Sequence, residues 1–371
     1  MGDRVRTSKA GSEAAFLQRT RATGAVAPAT ADEGAMGLIG TEDCQARLLA
    51  ARRALLDAGP QPGAGRNRLR RLRAVVLLDG TVWRASSSFA ESVGRSLLEL
   101  PVSATQCLLD LWRDQFLSLC DVLRSDELRC RIVVGRTTRP PALRRLDEAA
   151  GLSVELDPSD LRGTGGVLRD LAEEYDDDDA ILVANAAQLL AEPLCRLAVD
   201  AAERGGDVTV VANEDGTPTS IALLSCRALR HLPSVGFVDL KEQGLPLMAA
   251  RHEVTILRRA AACGLPIRTP ADYLAAVRAH QRMSAGEFPR QQPFDERWGR
   301  RFALVEPGAM VAADATLHDA VVLRGARVEP GALVANAVVC RGATIGRGES
   351  VQGQLLTRRK RSAISAEAVA R

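Results

Sequence analysis

Residues 303–351 read ALVEPGAMVAADATLHDAVVLRGARVEPGALVANAVVCRGATIGRGESV. Alanine recurs there at 309, 315, 320, 326, 332, 337 and 343, always five or six residues on. Aliphatic residues keep step with it: Val311, Leu317, Val322, Val328, Val334, Val339, Ile345 and Val351. Gly308, Gly325, Gly331, Gly342 and Gly346 punctuate the turns. An ordinary half-buried strand alternates with period two. A near-six period of one small and one aliphatic residue instead describes the rungs of a parallel β-helix, over 303–355. Each short side of a triangular coil points one aliphatic inward, and the small residue fits the corner. At three rungs per turn the stretch makes fewer than three coils, too few to bury its own core. The rest of the chain, or another subunit, must therefore cap it.

Working back from the repeat, the pattern changes to alternating strands and helices. Ala74–Leu78 is a short apolar run of buried-strand type, and Ile132–Val134, Leu152–Leu156, Ala180–Ala184 and Val208–Val211 are others. Helical spacing of apolar residues marks 104–123, 166–174 and 189–204. Asp215-Gly216, with Asn213 before it, reads as a hairpin turn between strands 208–212 and 219–224. Strands alternating with helices at this spacing predict an α/β sheet covered on both faces, over 74–285, with 286–302 as linker to the repeat.

The ends of the chain differ from its body. Residues 1–40 show no period and are expected to be disordered, and 43–57 read as one amphipathic helix. After the Gly59–Gly65 linker, Arg66–Arg73 packs five Arg into eight residues. That run is either a phosphate or nucleic-acid patch or a solvated lead-in to the first strand. Residues 1–73 carry 13 Lys/Arg against 7 Asp/Glu, and 357–371 carry five against one. The net charge of +3 over 371 residues therefore hides a mildly acidic body between two basic ends. It argues against nucleic-acid binding by the whole molecule. Hydrophobic residues at 46% and charged residues at 26% are globular values.

Eight cysteines lie at least ten residues apart, so no CxxC or zinc spacing exists, and a reduced, cytoplasmic setting is expected. No stretch of 18 apolar residues appears, which argues against a membrane span.

Several segments of the body resemble the sugar-phosphate nucleotidyltransferases (nucleoside-diphosphate-sugar pyrophosphorylases). Ala74–Leu78 resembles the first strand that leads into that family's GxGTR loop. Ser96–Val102 resembles "PKPLLPV", and Arg162–Gly166 resembles the "LGTAG" loop that packs against the nucleobase. Ile181–Asn185 resembles "FLVLNGD", and Ile267–Leu274 resembles "DIGTPEDYL". The resemblance implies a Rossmann-like, GT-A-like three-layer α/β/α domain followed by a short left-handed parallel β-helix. It implies Gly80, Thr81, Gly163, Thr164, Gly165, Gly166 and Asn185 as nucleotide-binding residues. Arg84 and Arg95 stand where the family has its catalytic cations. The reaction transfers a nucleotidyl group to a sugar 1-phosphate, with backbone N–H groups cradling phosphate and carboxylates holding Mg²⁺.

This sequence departs from the pattern where the chemistry is done. The phosphate loop reads Leu78-Asp79-Gly80-Thr81-Val82-Trp83-Arg84, with one Gly and a Trp where backbone must approach phosphate closely. Ala187 stands at the first metal-binding Asp and Pro266 at the second. Neither side chain has an oxygen for a hard cation. A degenerate nucleotidyltransferase-like protein is therefore expected, binding a nucleotide, a nucleotide-sugar or a working paralogue. Two rivals stand beside it. One is an active, Mg²⁺-dependent enzyme with relocated ligands, Asp79 or the Asp176–Asp179 run. The other is a structural module that assembles as a homo-oligomer through its β-helix.

The remaining candidates have plain readings beside sharp ones. Gly163–Gly166 is also a turn before a helix. Glu173–Asp179 is also a solvated loop. His318, a candidate general base of the hexapeptide acyltransferase kind, is also a surface histidine. His231, His252 and His280 show no triad or metal spacing. The 356–371 tail, with Arg358-Arg359-Lys360-Arg361, is expected to be a disordered basic tail.

Overall fold

The computed structural model describes residues 64–79, 88–136, 138–157, 161–284, 302–359 and 361–364. The expected disordered segment 1–40, the expected helix 43–57, and Gly80, Thr81 and Arg84 lie outside those residues, as does most of the 286–302 linker.

From α1 (Ala64–Arg70) the chain enters β1 (Leu72–Asp79), then α2 (Ser88–Val93), a 3-10 turn at Leu97–Glu99 and α3 (Leu108–Leu123). There follow β2 (Arg129–Val134), α4 (Arg145–Ala149), β3 (Leu152–Leu156), α5 (Gly163–Ala172) and β4 (Ala180–Asn185). Next come β5 (Gln188–Leu190), α6 (Leu194–Arg204), β6 (Val208–Asn213), β7 (Pro218–Ser225) and α7 (Cys226–Arg230). A π-turn at Leu240–Gly244, α8 (Leu245–Ala249), β8 (Val254–Arg259), β9 (Gly264–Pro266) and α9 (Pro270–Ser284) complete this part.

Seven of these strands form one sheet in the order β3-β2-β1-β4-β7-β6-β8, with β7 reversed against its neighbours β4 and β6. The fold is thus mixed α/β around a mostly parallel sheet. Val75 and Leu77 of β1 share one apolar cluster with Trp112 and Phe116 of α3 and Leu197 of α6. Ala74, Val76 and Leu78 face the other way, against Leu168 of α5 and Leu229 of α7. Burial on both faces is why the central strands read as continuous apolar runs rather than alternating ones. The Asp215-Gly216 turn closes β6 onto β7 as expected: Asp215 Oδ1 accepts from Thr217 N at 2.9 Å, and Gly216 has φ 88°.

Three expectations need correction. The α/β part begins before Ala74, and the arginine run is not wholly a solvated lead-in: Arg70 and Arg71 are exposed, but Arg68 is not. Arg68 of α1 donates to the carbonyls of Gly205, Asp207 and Leu223 and, at 2.7 Å, to Thr209 Oγ1, which docks α1 against β6 and β7. Burial pushes its pKa down to about 10, which still leaves it charged at neutral pH. The single helix expected over 189–204 is instead β5 followed by α6. Leu189 pairs with Leu265 of β9, a contact no local period reveals. Pro193 caps α6, and the residue before a proline avoids helical geometry. The basic tail is not wholly without structure: Arg361–Ala363 forms a strand antiparallel to Gln354–Leu356. It covers an edge that would otherwise be open to other chains.

Beyond residue 302 the chain visits three short parallel sheets in rotation. The first holds Ala303–Val305, Ala320–Val322, Val338–Val339 and Gln354–Leu356, the second Met310–Val311, Arg327–Val328 and Thr344–Ile345. The third holds Thr316–His318, Leu333–Ala335 and Ser350–Gln352. Ala303 sits beside Ala320, Met310 beside Arg327 and Thr316 beside Leu333, an offset of 17 residues each time. That offset is two six-residue steps and one of five, as the alanine spacing requires. The five-residue corner turns through Asp319, Asn336 and Gly353, with φ of 50°, 46° and 60°. These are the residue types that tolerate left-handed backbone. Ala320, Ala326, Ala332, Ala337 and Ala343 are buried with Val322, Val328, Val334, Val339 and Ile345 in a core inside the coil. The first sheet also turns Leu304, Val321, Val338 and Cys340 outward into the cluster that holds Phe89, Leu97 and Tyr273. The coil is therefore braced from its side by the α/β part.

Candidate functional site

The strand order reverses at β1. The chain runs outward from β1 to β2 and β3, then returns to β4 on β1's other side. In open α/β sheets that reversal opens a crevice at the carboxyl ends of the strands, where ligands bind. The residues placed there are Asp79 at the end of β1 and Asn185–Ala187 at the end of β4.

Asp79 is 4% exposed and lies on the face shared by Val75 and Leu77. Ser96 Oγ donates to its Oδ2 at 3.1 Å, and the same hydroxyl accepts from Leu98 N at 3.2 Å. Burial drives the Asp79 pKa up to about 6, with the Ser96 hydrogen bond pulling weakly the other way. An ionised carboxylate so enclosed is costly unless a cation or donor joins it.

Asn185 is half-buried, and its Oδ1 accepts from Ala187 N at 2.8 Å, which turns the chain sharply after β4. Ala186 N donates to Leu78 O at 3.0 Å, and Trp112 Nε1 donates to Ala186 O at 2.9 Å. Ile267 N donates to Ala187 O at 2.8 Å, while Pro266 pairs with Gln188. The fold thus brings Ala187 and Pro266 together, although they lie 79 positions apart in sequence. Neither offers a side-chain oxygen. Among the described residues no group of three His, Cys, Asp or Glu is placed to hold a metal ion. The donor set at these two positions does not fit Mg²⁺.

The glycine loop has another employment. Gly165 and Gly166 N–H groups donate to Val238 O at 2.8 and 3.3 Å, and Val238 N donates back to Arg162 O at 2.8 Å. Thr164 Oγ1 accepts from Leu240 N at 2.9 Å. Gly163 has φ 68°, and a Cβ there would stand 2.5 Å from Val238 O. Glycine is required for backbone to meet backbone at this distance. The expected ligand donors are therefore occupied by the segment before the π-turn. Arg162 fastens that segment, with paired bonds to Asp170 and one to Gly236 O at 2.7 Å.

Arg95, expected as a catalytic cation, is engaged here as a clamp. Its two terminal nitrogens reach Glu306 Oε1 and Oε2 at 2.7 and 2.8 Å, joining the α/β part to the coil. Arg324 N also donates to Glu306 Oε2 at 2.8 Å. Burial lowers the Arg95 pKa, but the adjoining carboxylate outweighs it and the net shift is upward. Glu306 is itself penalised by burial, yet Arg95 and the Arg324 amide hold its carboxyl below the usual range. The acidic run offered as a relocated metal site lies elsewhere. Asp176–Asp179 precedes Ala180, at the amino end of β4, where Asp179 takes Arg73 at 3.0 Å and Asp177 takes Arg230. His318 is partly exposed, with Asp319 Oδ2 at 3.7 Å. Glu306 and Val238 were not legible as site neighbours. Both act through contacts more than 70 residues away, with no motif around them.

No family model matches the sequence, and no curated protein matches it. Among solved structures, the chain is similar to the crystal structure of HddC from Yersinia pseudotuberculosis, at 13% identity over 56% of this chain and 100% of that chain. The TM-score of 0.41 is too low for the likeness to carry a functional argument. Among the described residues no helix is long and apolar enough to cross a membrane.

Proposed function

We propose that this chain is a nucleotidyltransferase-like protein that takes a nucleotide or nucleotide-sugar at the carboxyl edge of its sheet. We further propose that it does not turn that ligand over by a metal held between β4 and β9. The reading is supported by the closeness of Ala187 and Pro266 just beyond β4, where Ala187 O accepts from Ile267 N and Pro266 pairs with Gln188. The carboxylate positions of the resembled family are brought together there with no carboxylate on them. The three-sheet coil we take as a left-handed β-helix of the hexapeptide kind. Calorimetric titration with UTP, GTP, CTP and dTTP tests the binding, and saturable heat with one of them is expected. Pyrophosphorolysis of a panel of nucleoside-diphosphate sugars with Mg²⁺ tests the inactivity. Turnover at an ordinary enzyme rate of about 1–10³ s⁻¹ overturns it.

One observation favours the active alternative. Asp79 is a buried carboxyl with a raised pKa at the crevice, and such groups cluster at functional sites. Mg²⁺ is often held by one carboxylate together with substrate phosphates. That reading requires a Mg²⁺-dependent activity that disappears in Asp79→Asn.

A further inference from the structure

The coil carries a second feature, independent of the sheet. Gly308, Gly325 and Gly342 have φ of 93°, 77° and 75° and stack one above the next. Gly325 N donates to Gly308 O and Gly342 N to Gly325 O, both at 2.9 Å. Across each bare corner lies the arginine of the following turn. A Cβ on Gly308 would stand 3.0 Å from Arg324 Cγ, one on Gly325 3.2 Å from Arg341 Cγ, and one on Gly342 3.5 Å from Arg358 Cδ. The same seat is thus built three times. Arg324, Arg341 and Arg358 are all exposed. Parallel rungs lie about 4.8 Å apart, so the three form a straight row along one corner of the coil.

Among the described residues one carboxylate faces the three guanidinium groups of the row. Arg324 has Glu306 at 3.8 Å, but that carboxylate is already held by both nitrogens of Arg95. Among the described residues no carboxylate pairs with Arg341 or Arg358. Two other coil arginines have carboxylate partners, Arg327 with Glu329 at 3.5 Å and Arg361 with Glu349. Like charges in a row, with so little carboxylate beside them, call for a row of anions, and the guanidinium fork matches phosphate oxygens two at a time.

We propose that Arg324, Arg341 and Arg358 form a binding strip for a linear chain of condensed phosphates. Such a chain carries charge at every link and bends freely, so some phosphates fall opposite every rung. An extended acidic peptide presents a given face only every second residue, about 6.8 Å, and drifts out of step with the rungs. Single-stranded nucleic acid binds on aromatic platforms beside its basic groove. The described coil has one Phe, Tyr or Trp side chain, Phe302, and it is buried.

The test is calorimetric titration of the full chain with linear inorganic polyphosphate at 50 and 200 mM salt. Orthophosphate and a single-stranded homopolymer of matched charge serve as comparisons. Three phosphate contacts at about 0.7 each give a log–log salt slope of about −2. The double substitution Arg341→Gln/Arg358→Gln is expected to weaken binding at least tenfold and to reduce the slope by about 1.4. Arg327→Gln, on a different sheet of the coil, is expected to leave affinity unchanged. Both variants alter exposed side chains, and circular dichroism confirms their folding. Unchanged affinity in the double variant, or no salt-dependent binding at all, overturns the strip. Equal affinity for orthophosphate overturns it as well, and tighter binding of the homopolymer reassigns the row to nucleic acid.

Discussion

Asp79→Asn tests the electrostatics of the crevice directly. The buried carboxyl keeps its proton up to about pH 6, whereas the ordinary value is 3.8. Between those values the folded chain holds a proton that the unfolded chain has released. Stability must therefore fall as pH rises through that window and level off above it. A shift of about two units at about 1.4 kcal/mol each comes to roughly 3 kcal/mol. Asparagine keeps the size and still accepts from Ser96, but it does not ionise. The stability of Asp79→Asn relative to the native chain is thus expected to climb by about 3 kcal/mol between pH 3 and pH 8. Urea denaturation at one-unit pH steps measures this, and taking the difference between the two proteins cancels every other titrating group. A difference that stays flat within about 0.5 kcal/mol from pH 4 to pH 8 would refute the account of Asp79 as an acid whose pKa burial has raised. A native chain that loses this pH dependence on adding a nucleotide or Mg²⁺ would show what the carboxylate is kept for.

Other substitutions address the joints of the fold. Glu306→Gln removes one charge of a largely buried pair and is expected to destabilise by about 2 kcal/mol, less than a fully buried pair because Arg95 keeps some solvent. The double change Arg95→Met/Glu306→Leu is expected to recover most of that loss in the same denaturation assay. Gly163→Ala combines positive φ with a Cβ 2.5 Å from Val238 O, and a loss of about 3 kcal/mol is expected from thermal unfolding. Asn336→Gly should be nearly silent at its φ of 46°, whereas Asn336→Val should cost about 1–2 kcal/mol in denaturant midpoint.

The coil was the most legible part of this protein, because its repeat is local and its core is written at a fixed spacing. The steps of the alanine ladder already contain the 17-residue register of the rungs. The central strands were legible for a similar reason: a strand buried on both faces needs a continuous apolar run. The candidate site was legible only in part. Asp79 and the Ala187 and Pro266 positions could be named from order along the chain, but their neighbours could not. The helix expected over 189–204 failed where Leu189 met Leu265, a pairing set by tertiary contact. Arg95 and Gly163–Gly166 carried the right residue types for phosphate chemistry, yet their partners are Glu306 and Val238.

The sequence by itself determined the central strands and the rungs, since periodicity and turn chemistry act over a few residues. It also determined that two positions lack the oxygens a metal requires, because that depends on residue identity alone. Tertiary structure alone decided how each polar group is used. Arg68, one of the arginines before β1, became a dock for α1. The coil leaned on the α/β part with its side, and the glycine loop closed on a carbonyl of its own chain. Hydrogen bonds and ion pairs act over about 3 Å, and only the completed fold brings residues 95 and 306, or 163 and 238, within that distance.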